Sequence, residues 1–362
     1  MEKLQVQAGS FSYAVVVGRG AWRALRELDL GKYSSIFVLT EEGLWKRWGK
    51  EFARASGLKQ YATITVPSGE TSKSLRRVER VASALLARGA DRRSLLIAFG
   101  GGMIGDLGGF VASTYMRGID CAQVPTTVVA QVDSAIGGKT AVNVGAMKNL
   151  VGTFYPPRIV LSDPIVLSTL DARTFRSGLH EVIKHAVLSS PTLFGELEAR
   201  LDDLVPARAG SLGPILARAA QVKVNVVSRD EREAGLRRIL NLGHTFGHAL
   251  EEATNYRRYL HGEAVGWGML AAARLAERLG LLRSTEAARI AALIRRVAPL
   301  PRIRDLSPER VMSLLPRDKK AVGGQIHWVL PERIGKVRVV ADVPASEAES
   351  AFRDIQMSDR HD

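Results

Sequence analysis

The sequence predicts an α/β protein whose first half builds a parallel sheet and whose second half is mainly helical. In the first half, short apolar runs alternate with amphipathic helical segments, which is typical of a parallel sheet crossed by helices. After about residue 171, segments rich in Ala, Leu and Arg repeat apolar residues at helical spacing, and few strands are predicted. We therefore predict two domains, an α/β domain over residues 1–170 and a mainly helical domain over residues 171–362.

Each predicted element of the first half is an apolar or amphipathic run that ends at a turn-forming residue. Gly57 and Gly89 end two helices, because glycine readily adopts the left-handed conformation of a helix C-cap. The predicted strands are 12–18, 35–40, 61–66, 95–99 and 121–124, and the predicted helices are 21–28, 43–56 and 74–88. In the second half, we predict helices at 264–282 and 286–297 and a hairpin of 325–330 with 337–340.

The stretch 95–109, LLIAFGGGMIGDLGG, organises the first half. A buried strand runs directly into three glycines, where a backbone without Cβ atoms can turn tightly and aim N–H groups at an anion. The alternative is a tight turn without a ligand, since the spacing is not that of the common dinucleotide motif. Glu41, Ser68 and Thr126 also follow predicted strands, and ligands of parallel sheets bind at the carboxyl ends of strands.

Composition excludes several classes of protein. The chain has 362 residues, of which 46% are apolar and 24% charged, as in ordinary globular proteins. Cys121 is the only cysteine, so neither an internal disulfide nor a cysteine zinc cluster is possible, and a reducing cytoplasm is expected. We expect no signal peptide and no membrane span, because no basic leader or long apolar run is present.

The net charge of +14 indicates an anionic partner. The basic residues are scattered, so an anionic small molecule is expected rather than nucleic acid. Gly137-Gly138-Lys139-Thr140 has the ending of a P-loop, but Asp133 stands where the upstream glycine should be, and we reject an ATPase. The lysines expected to bind phosphate or carboxylate, rather than to be solvated surface groups, are Lys139, Lys148, Lys184, Lys223 and Lys319 or Lys320.

A second pattern indicates a metal site. His244 and His248 are four residues apart and share a helix face, and a His-Gly-Glu segment begins at His261. Glu181 shares a helix face with His185, one turn away. The alternative is that these are hydrogen-bonded core histidines. The pattern favours a metal but does not say which three residues bind it.

These motifs together resemble the 3-dehydroquinate synthase family. They run in that family's order over about residues 65–335, at 100–106, 124–134, 137–143, 148–154, 178–184, 230–237, 241–248, 261–263 and 318–320. The resemblance implies a Rossmann-like NAD-binding α/β domain, a mainly α-helical metal-binding domain, an active site in the cleft and a homodimer. It also implies conversion of 3-deoxy-D-arabino-heptulosonate 7-phosphate to 3-dehydroquinate and phosphate, in the shikimate pathway. The implied steps are transient oxidation by NAD, phosphate elimination, re-reduction and an intramolecular aldol reaction.

The resemblance also implies roles for individual residues. Zn²⁺ or Co²⁺ would be bound by Glu181, His244 and His261, whereas His248 would move a proton near the substrate. NAD would be bound by Glu41, Ser68, Gly69, Glu70, Lys73, Gly102, Met103, Ile104, Gly105, Asp106, Thr126, Thr127, Lys139, Lys148 and Thr169. The catalytic groups would be Lys139, Lys184, Lys223, Glu233, Arg237, Asn241 and His248. Further substrate contacts would come from Arg117, Asp133, Asn149 and Lys319 or Lys320.

Three other functions share some of these features. A related sugar-phosphate cyclase acting on sedoheptulose 7-phosphate would share NAD and metal, but its substrate lacks a carboxylate. A substrate that has a carboxylate is favoured by Lys223, Arg237, Asn241 and Asn149 together. A metal-dependent polyol dehydrogenase would not need phosphate-binding lysines. A nucleic-acid-binding module would leave the glycine and histidine motifs unexplained.

Overall fold

A computed structural model describes residues 1–145, 147–315 and 326–359. The chain forms two compact units, the first comprising residues 1–170 and 206–232, and the second comprising residues 171–205 and 233–362. The division predicted at residue 170 differs from these units in the segment 206–232, which returns to the first unit. None of the helices in the described part of the chain combines the length and apolar character that a membrane crossing requires.

Seven strands form the main sheet of the first unit, in the order β1-β2-β9-β6-β5-β3-β4. The strands are β1 (Glu2–Ala8), β2 (Phe11–Val17), β3 (Ile36–Glu41), β4 (Ala62–Val66), β5 (Leu95–Gly100), β6 (Asp120–Pro125), β7 (Lys139–Val144), β8 (Met147–Phe154), β9 (Ile159–Ser162), β10 (Trp328–Arg333) and β11 (Lys336–Val340). Strand β1 is antiparallel to β2, and the other neighbours pair in parallel. The predicted parallel α/β sheet is therefore confirmed.

Strand β5 occupies the centre of this sheet because its sequence is continuously apolar. All six of its residues are buried, as expected for a strand covered on both faces. Its neighbours are β3, with Ile36 opposite Leu95, and β6, with Asp120 opposite Leu95. The chain runs outward from β3 to β4 and then returns to β5 on the other side of β3. The carboxyl ends of β3 and β5 thus flank the point where strand order reverses, which is the usual ligand crevice of open α/β sheets.

The helices of the described residues are α1 (Glu42–Ser56), α2 (Leu75–Ala87), α3 (Gly102–Thr114), α4 (Ala172–Ser189), α5 (Pro191–Arg200), α6 (Gly213–Arg229), α7 (His244–Ala253), α8 (His261–Arg278), α9 (Ser284–Val297), α10 (Pro308–Leu314) and α11 (Ala345–Ser358). Gly57 ends α1 with φ of 77°, as predicted. The Ser74 hydroxyl accepts the Arg77 N–H at 3.3 Å and caps α2. The predicted helix 21–28 is a 3₁₀ turn over Ala21–Glu27.

Three parts of the first unit were not predicted. The segment that follows Gly137-Gly138, where no strand was predicted, forms the antiparallel hairpin β7–β8, with Thr140 opposite Thr153. Strands β1 and β9 complete the sheet beyond the predicted strands. Helix α6 packs against β1 and β2, where the Ser228 hydroxyl accepts the Gln7 N–H at 3.1 Å. Helix α6 and strand β9 depend on partners that are distant in sequence, so local periodicity does not reveal them, whereas β1 pairs with the adjacent strand β2.

The second unit is built around α8. This helix packs against α4, α7, α9 and α11 and against β10. The ring of Phe246 on α7 lies 5.2 Å from Trp328 and 6.2 Å from Phe352, which joins the hairpin β10–β11 and α11 to the same core. The predicted hairpin is present, starting at Trp328. The predicted helices over 264–282 and 286–297 correspond to α8 and α9, which begin earlier.

Candidate active site

Three helices of the second unit bring together one carboxylate and two imidazoles. Glu181 lies in the middle of α4, His244 is the first residue of α7, and His261 is the first residue of α8. The Nε2 atoms of His244 and His261 lie 4.0 Å and 3.5 Å from Glu181 Oε1. Ligands about 2.1 Å from a tetrahedral ion are about 3.4 Å apart, so these three donors are spaced to hold Zn²⁺ or a similar ion.

Glycines allow these helices to approach one another. A Cβ atom on Gly262, in the first turn of α8, would lie 1.8 Å from the Ser177 carbonyl oxygen of α4. A Cβ atom on Gly268 would lie 1.7 Å from the carbonyl oxygen of Gly243, the residue before α7, which itself has φ of 79°. Only glycine fits at both contacts. Helix α8 therefore packs backbone to backbone against α4 and α7, and this packing sets the separation of the three donors.

Glu263 of the His-Gly-Glu segment has a structural role in this unit. Its carboxylate binds the Arg173 guanidinium of α4 with contacts of 2.7 Å and 2.8 Å. It also accepts the Leu260 N–H at 2.8 Å, which satisfies a backbone donor at the start of α8. Glu263 thus joins the first turn of α8 to the first turn of α4, next to His261.

Two further contacts orient the donors. Lys184, one turn after Glu181 and equally buried, places its Nζ 2.5 Å from Glu181 Oε2. That ion pair leaves Oε1 as the oxygen that faces both histidines. His244 Nδ1 lies 3.1 Å from the Leu242 carbonyl oxygen. A proton on Nδ1 is satisfied there, so Nε2 retains the lone pair that a metal requires.

The electrostatics of the cluster favour a positive charge. Burial disfavours protonation of His261, but hydrogen bonds to Glu181 and Glu251 outweigh burial and raise the pKa of His261 to about 10. The Nε2 side of His261, which faces Glu181, is therefore a position where a divalent ion could replace a proton. Metal binding at this cluster would displace that proton.

The structure also places His248 beside the cluster. Its ring centre lies 5.3 Å from His244 and 6.1 Å from His261. The donor atoms of His248, Glu251 and His261 form a second group within 4.8 Å of one another, which overlaps the first at His261. Glu251 was not singled out by the sequence analysis. The sequence feature that could have indicated Glu251 is its position seven residues after His244, which places both residues on one face of α7.

Other predicted residues of the second unit precede α7. Arg237 and Asn241 lie in the 3₁₀ turn Leu236–Asn241, and Arg237 is only 1% exposed. The Asn241 Nδ2 donates to Glu233 Oε1 at 3.2 Å. Glu233 has φ of 62°, a conformation that non-glycine residues seldom adopt. This part of the predicted set thus includes one buried cation and one amide–carboxylate pair.

In the first unit, predicted cofactor residues flank the reversal of strand order. Glu41 ends β3, and burial raises its pKa although the Ser68 hydroxyl and the Gly69 N–H donate to it. Helix α3 begins at Gly102, directly after β5, so its first N–H groups face this edge of the sheet. A Cβ atom on Gly101 would lie 3.1 Å from Thr127. The start of a helix directly after β5 and a glycine is the arrangement expected of an anion-binding turn.

The later glycines of that stretch have a different role. A Cβ atom on Gly108 would lie 2.8 Å from the side chain of Ala98, and one on Gly109 would lie 2.3 Å from Thr140. These glycines allow α3 to lie directly on β5 and on the hairpin β7–β8. They belong to helix–sheet packing rather than to an anion site.

Lys73 links two groups of predicted residues. Its buried Nζ binds the carboxylate of Asp106 and the side-chain carbonyl of Asn149. Burial raises the pKa of Asp106, and the neighbouring Lys73 opposes this effect. Asn149 has φ of 52°. The structure therefore brings together two residues predicted to bind NAD and one predicted to bind substrate.

A second ion pair of the first unit joins Asp133 and Lys223. Asp133 lies in the π-helical turn Ala130–Ser134, an irregularity that is frequent at functional sites. Lys223 lies on α6, so it belongs to the first unit although the sequence analysis assigned it to the second domain. Both residues were predicted to contact substrate.

Five further predicted residues of the first unit lie on different elements. Lys139 begins β7, Lys148 lies in β8, and Arg117 is exposed with φ of 68°. The Thr126 N–H donates to the Gly100 carbonyl oxygen at 3.0 Å, directly after β6. The Thr169 hydroxyl accepts the Trp48 indole N–H at 2.9 Å. Lys319 and Lys320 lie outside the described residues.

Comparisons with known proteins match both halves of the chain to domain models of one family. Residues 63–177 match the family model for the 3-dehydroquinate synthase N-terminal domain, and residues 178–321 match that for the C-terminal domain. A 3-dehydroquinate synthase from Gloeobacter violaceus is 45% identical over 350 residues, which cover 95% of this chain and 96% of that protein.

Solved structures of two cyclases are also similar to the chain. A 2-epi-5-epi-valiolone synthase from Streptomyces hygroscopicus, solved with NAD⁺ and Zn²⁺, is 31% identical with a TM-score of 0.87, covering 96% of this chain and 98% of that one. A 2-deoxy-scyllo-inosose synthase, solved with carbaglucose-6-phosphate, NAD⁺ and Co²⁺, is 26% identical with a TM-score of 0.84, covering 98% and 99%.

Proposed function

Since the chain belongs to the 3-dehydroquinate synthase family, we infer that it carries out the reaction for which the family is named. That reaction converts 3-deoxy-D-arabino-heptulosonate 7-phosphate to 3-dehydroquinate and phosphate. The observation that carries this inference is the identity to a 3-dehydroquinate synthase over nearly the whole chain. The cluster of Glu181, His244 and His261 supports it with the donor set that such an enzyme needs for a divalent ion.

We propose that the chain uses NAD and Zn²⁺ or Co²⁺. The crevice between the ends of β3 and β5, with Glu41 on one side and the start of α3 on the other, would hold NAD. The three donors of the second unit would hold the ion. When bound, NAD accepts and later returns a hydride, and the ion acidifies the alcohol from which the hydride leaves.

The protein residues of the second unit would prepare the metal site and handle protons. Lys184 holds Glu181 Oε2 and so keeps Oε1 directed at the histidines. His248, whose ring lies beside those of His244 and His261, would exchange a proton with a substrate hydroxyl near the ion. Glu233, held by the Asn241 amide, would accept the proton that leaves carbon next to the transient carbonyl. The electron pair of that C–H bond then forms a C=C double bond while the C–O bond to phosphate breaks, and phosphate departs with the electrons of the C–O bond.

Cationic residues would bind the two anionic ends of the substrate. The buried guanidinium of Arg237 suits a carboxylate, because a planar fork of donors matches two carboxylate oxygens. Lysines suit phosphate as compact charges. The cations proposed for these contacts are Lys139, Lys184, Lys223, Arg117 and Lys319 or Lys320. Asp133, Asn149 and Asn241 are proposed as further contacts of the substrate. Lys148 and Lys73 would belong to the NAD site.

This function is tested by phosphate release. The purified protein receives 3-deoxy-D-arabino-heptulosonate 7-phosphate, Zn²⁺ and trace NAD, before and after chelation. We expect many phosphates released per NAD, no net NADH, and loss of release after chelation. A lyase that returns its hydride gives this result, whereas a dehydrogenase accumulates NADH. Release from sedoheptulose 7-phosphate alone would instead assign the chain to the cyclitol-forming relatives.

We propose in addition that the enzyme is a homodimer. The hairpin β7–β8 carries large apolar side chains that are at least a third exposed, which a second copy of the chain could cover. These residues are Val144, Met147, Leu150, Val151 and Phe154. Sedimentation velocity of the wild type and of Leu150→Lys tests the proposal. A dimer that the substitution dissociates would support it, and a monomeric wild type would refute it.

A further inference from the structure

We propose that Glu251 is a positioning residue for the metal site, because it holds His261 in the orientation and tautomer that metal binding requires. Glu251 is a buried carboxylate on α7, two turns after His244. It belongs to neither the predicted ligands nor the predicted substrate contacts. The inference rests on the proposed metal site and adds a residue to it.

The geometry of His261 carries the argument. Its two ring nitrogens face two different carboxylates: Nε2 lies 3.5 Å from Glu181 Oε1, and Nδ1 lies 3.4 Å from Glu251 Oε2. A neutral imidazole carries one proton, and the nitrogen that binds a metal must be the other one. If Nε2 binds the ion with Glu181, the proton resides on Nδ1. Glu251 is then the acceptor for that proton, at the long end of hydrogen-bond distances.

The two histidines of the site differ in the acceptor that faces Nδ1. His244 Nδ1 faces a neutral acceptor, the Leu242 carbonyl oxygen at 3.1 Å. His261 Nδ1 faces a charged acceptor. A carboxylate behind an imidazole fixes the ring and raises the basicity of the distal nitrogen, so it makes the histidine a stronger ligand. The side chain of His261 is 39% exposed and that of His244 is 12% exposed. Because fewer neighbouring atoms restrain the His261 ring, its orientation depends more on a hydrogen-bond partner.

The burial of Glu251 supports a specific role for its carboxylate. Glu251 is 4% exposed, and an ionised carboxylate in such surroundings is costly unless cations or hydrogen-bond donors compensate it. His261 supplies a donor. The ion on the far side of the ring would polarise that donor further. Glu251 could alternatively be a ligand itself, in the overlapping group with His248 and His261.

The test measures Zn²⁺ affinity of the metal-free full-length protein by competition with a chromophoric chelator. Glu251→Gln keeps the shape of the side chain and an oxygen acceptor but removes its charge. We expect its Zn²⁺ dissociation constant to rise roughly 10- to 100-fold, as for other carboxylates that orient a metal-binding histidine. The matched control is Glu252→Gln, which removes the same charge from the next position of α7 and should leave the affinity unchanged.

A double-mutant cycle separates orientation from direct ligation. If Glu251 acts through His261, then Glu251→Gln causes no further loss of Zn²⁺ affinity in a His261→Ala background. If Glu251 is itself a ligand, the loss persists in that background and the inference is wrong. The visible spectrum of the Co²⁺-loaded protein adds a second readout, since a reoriented His261 shifts the ligand-field bands, and Glu252→Gln should not.

Folding defects and failure of the proposed function are distinguishable from failure of the inference. Glu251→Asp keeps the charge but shortens the side chain, so it should lose affinity as well and serves if Glu251→Gln does not fold. Equal Zn²⁺ affinity of wild type and Glu251→Gln overturns the inference and leaves the proposed function intact. A wild type that binds no Zn²⁺ overturns the metal site, and with it both proposals.

Discussion

The substitution Gly262→Ala should disrupt the metal site without touching a ligand. The added Cβ atom would lie 1.8 Å from the Ser177 carbonyl oxygen, and contacts below 3.0 Å essentially do not occur. Helices α4 and α8 must therefore separate by at least about 1.2 Å. His261 is the adjacent residue and moves with α8, whereas Glu181 stays with α4.

The expected magnitude follows from the tolerance of metal coordination. Ligand distances in metal sites vary by only about 0.2 Å, so a displacement several times larger removes His261 from the ion. We expect the Zn²⁺ dissociation constant to rise at least about tenfold and phosphate release to be lost. Overpacking should also lower the free energy of unfolding by about 1–3 kcal/mol, less the gain of up to about 1 kcal/mol from replacing a helical glycine by alanine.

Chelator competition measures the affinity, and urea unfolding measures the stability. The matched control is Gly195→Ala in α5, where a Cβ atom would meet no other atom within 4 Å. That variant makes the same chemical change within a helix of the second unit and should bind Zn²⁺ like the wild type. If Gly262→Ala also retains wild-type affinity and stability, the close contact of α4 and α8 does not determine the site, and the reasoning is refuted.

Three further predictions concern other residues. Glu181→Gln should abolish chelator-sensitive phosphate release and tight Zn²⁺ binding while circular dichroism stays unchanged; retained turnover would refute the ligand assignment. Lys73→Met should destabilise the first unit by about 3 kcal/mol in urea unfolding, because it leaves the Asp106 carboxylate, whose side chain is 19% exposed, without its cation, and it should raise the NAD dissociation constant; an unchanged unfolding midpoint would contradict this. The Cys121 thiol should be inert to a disulfide reagent at pH 8 until urea unfolds the protein. Burial, and secondly Asp120, raise its pKa to about 12, so only about one thiol in 10⁴ is ionised; rapid reaction of the native protein would disprove it.

The secondary structure of the first half was largely predictable because its signals are local. The continuous apolar run at the centre of β5 and the glycine after α1 each specify an element within a few residues. The hairpin β7–β8 was missed for a physical reason. Its exposed apolar residues follow no alternation, and it is placed by contact of Thr140 with Gly109 of α3.

In the candidate site, too, the local sequence pattern predicted some features and tertiary contacts decided others. The spacing of His244 and His248 suggested that both bind metal, whereas in the structure it is His244 and His261 whose Nε2 atoms face Glu181. The pattern left open which residue of the His-Gly-Glu segment binds metal, and in the structure His261 faces Glu181 whereas Glu263 binds Arg173 and the start of α8. Sequence spacing says which residues share a helix face and does not say which faces meet.

The sequence by itself determined the class of the fold, the order of its elements and, through its resemblance to a known family, the chemistry. Those properties depend on short-range periodicity and on motifs whose order along the chain is visible. Only the tertiary structure decided that α6 returns to the first unit, that Lys73 joins Asp106 to Asn149, and that Glu251 lies behind His261. These contacts join segments far apart in sequence, and they depend on how closely backbones pack, which at α8 is set by glycines that have no side chain to reveal their partner.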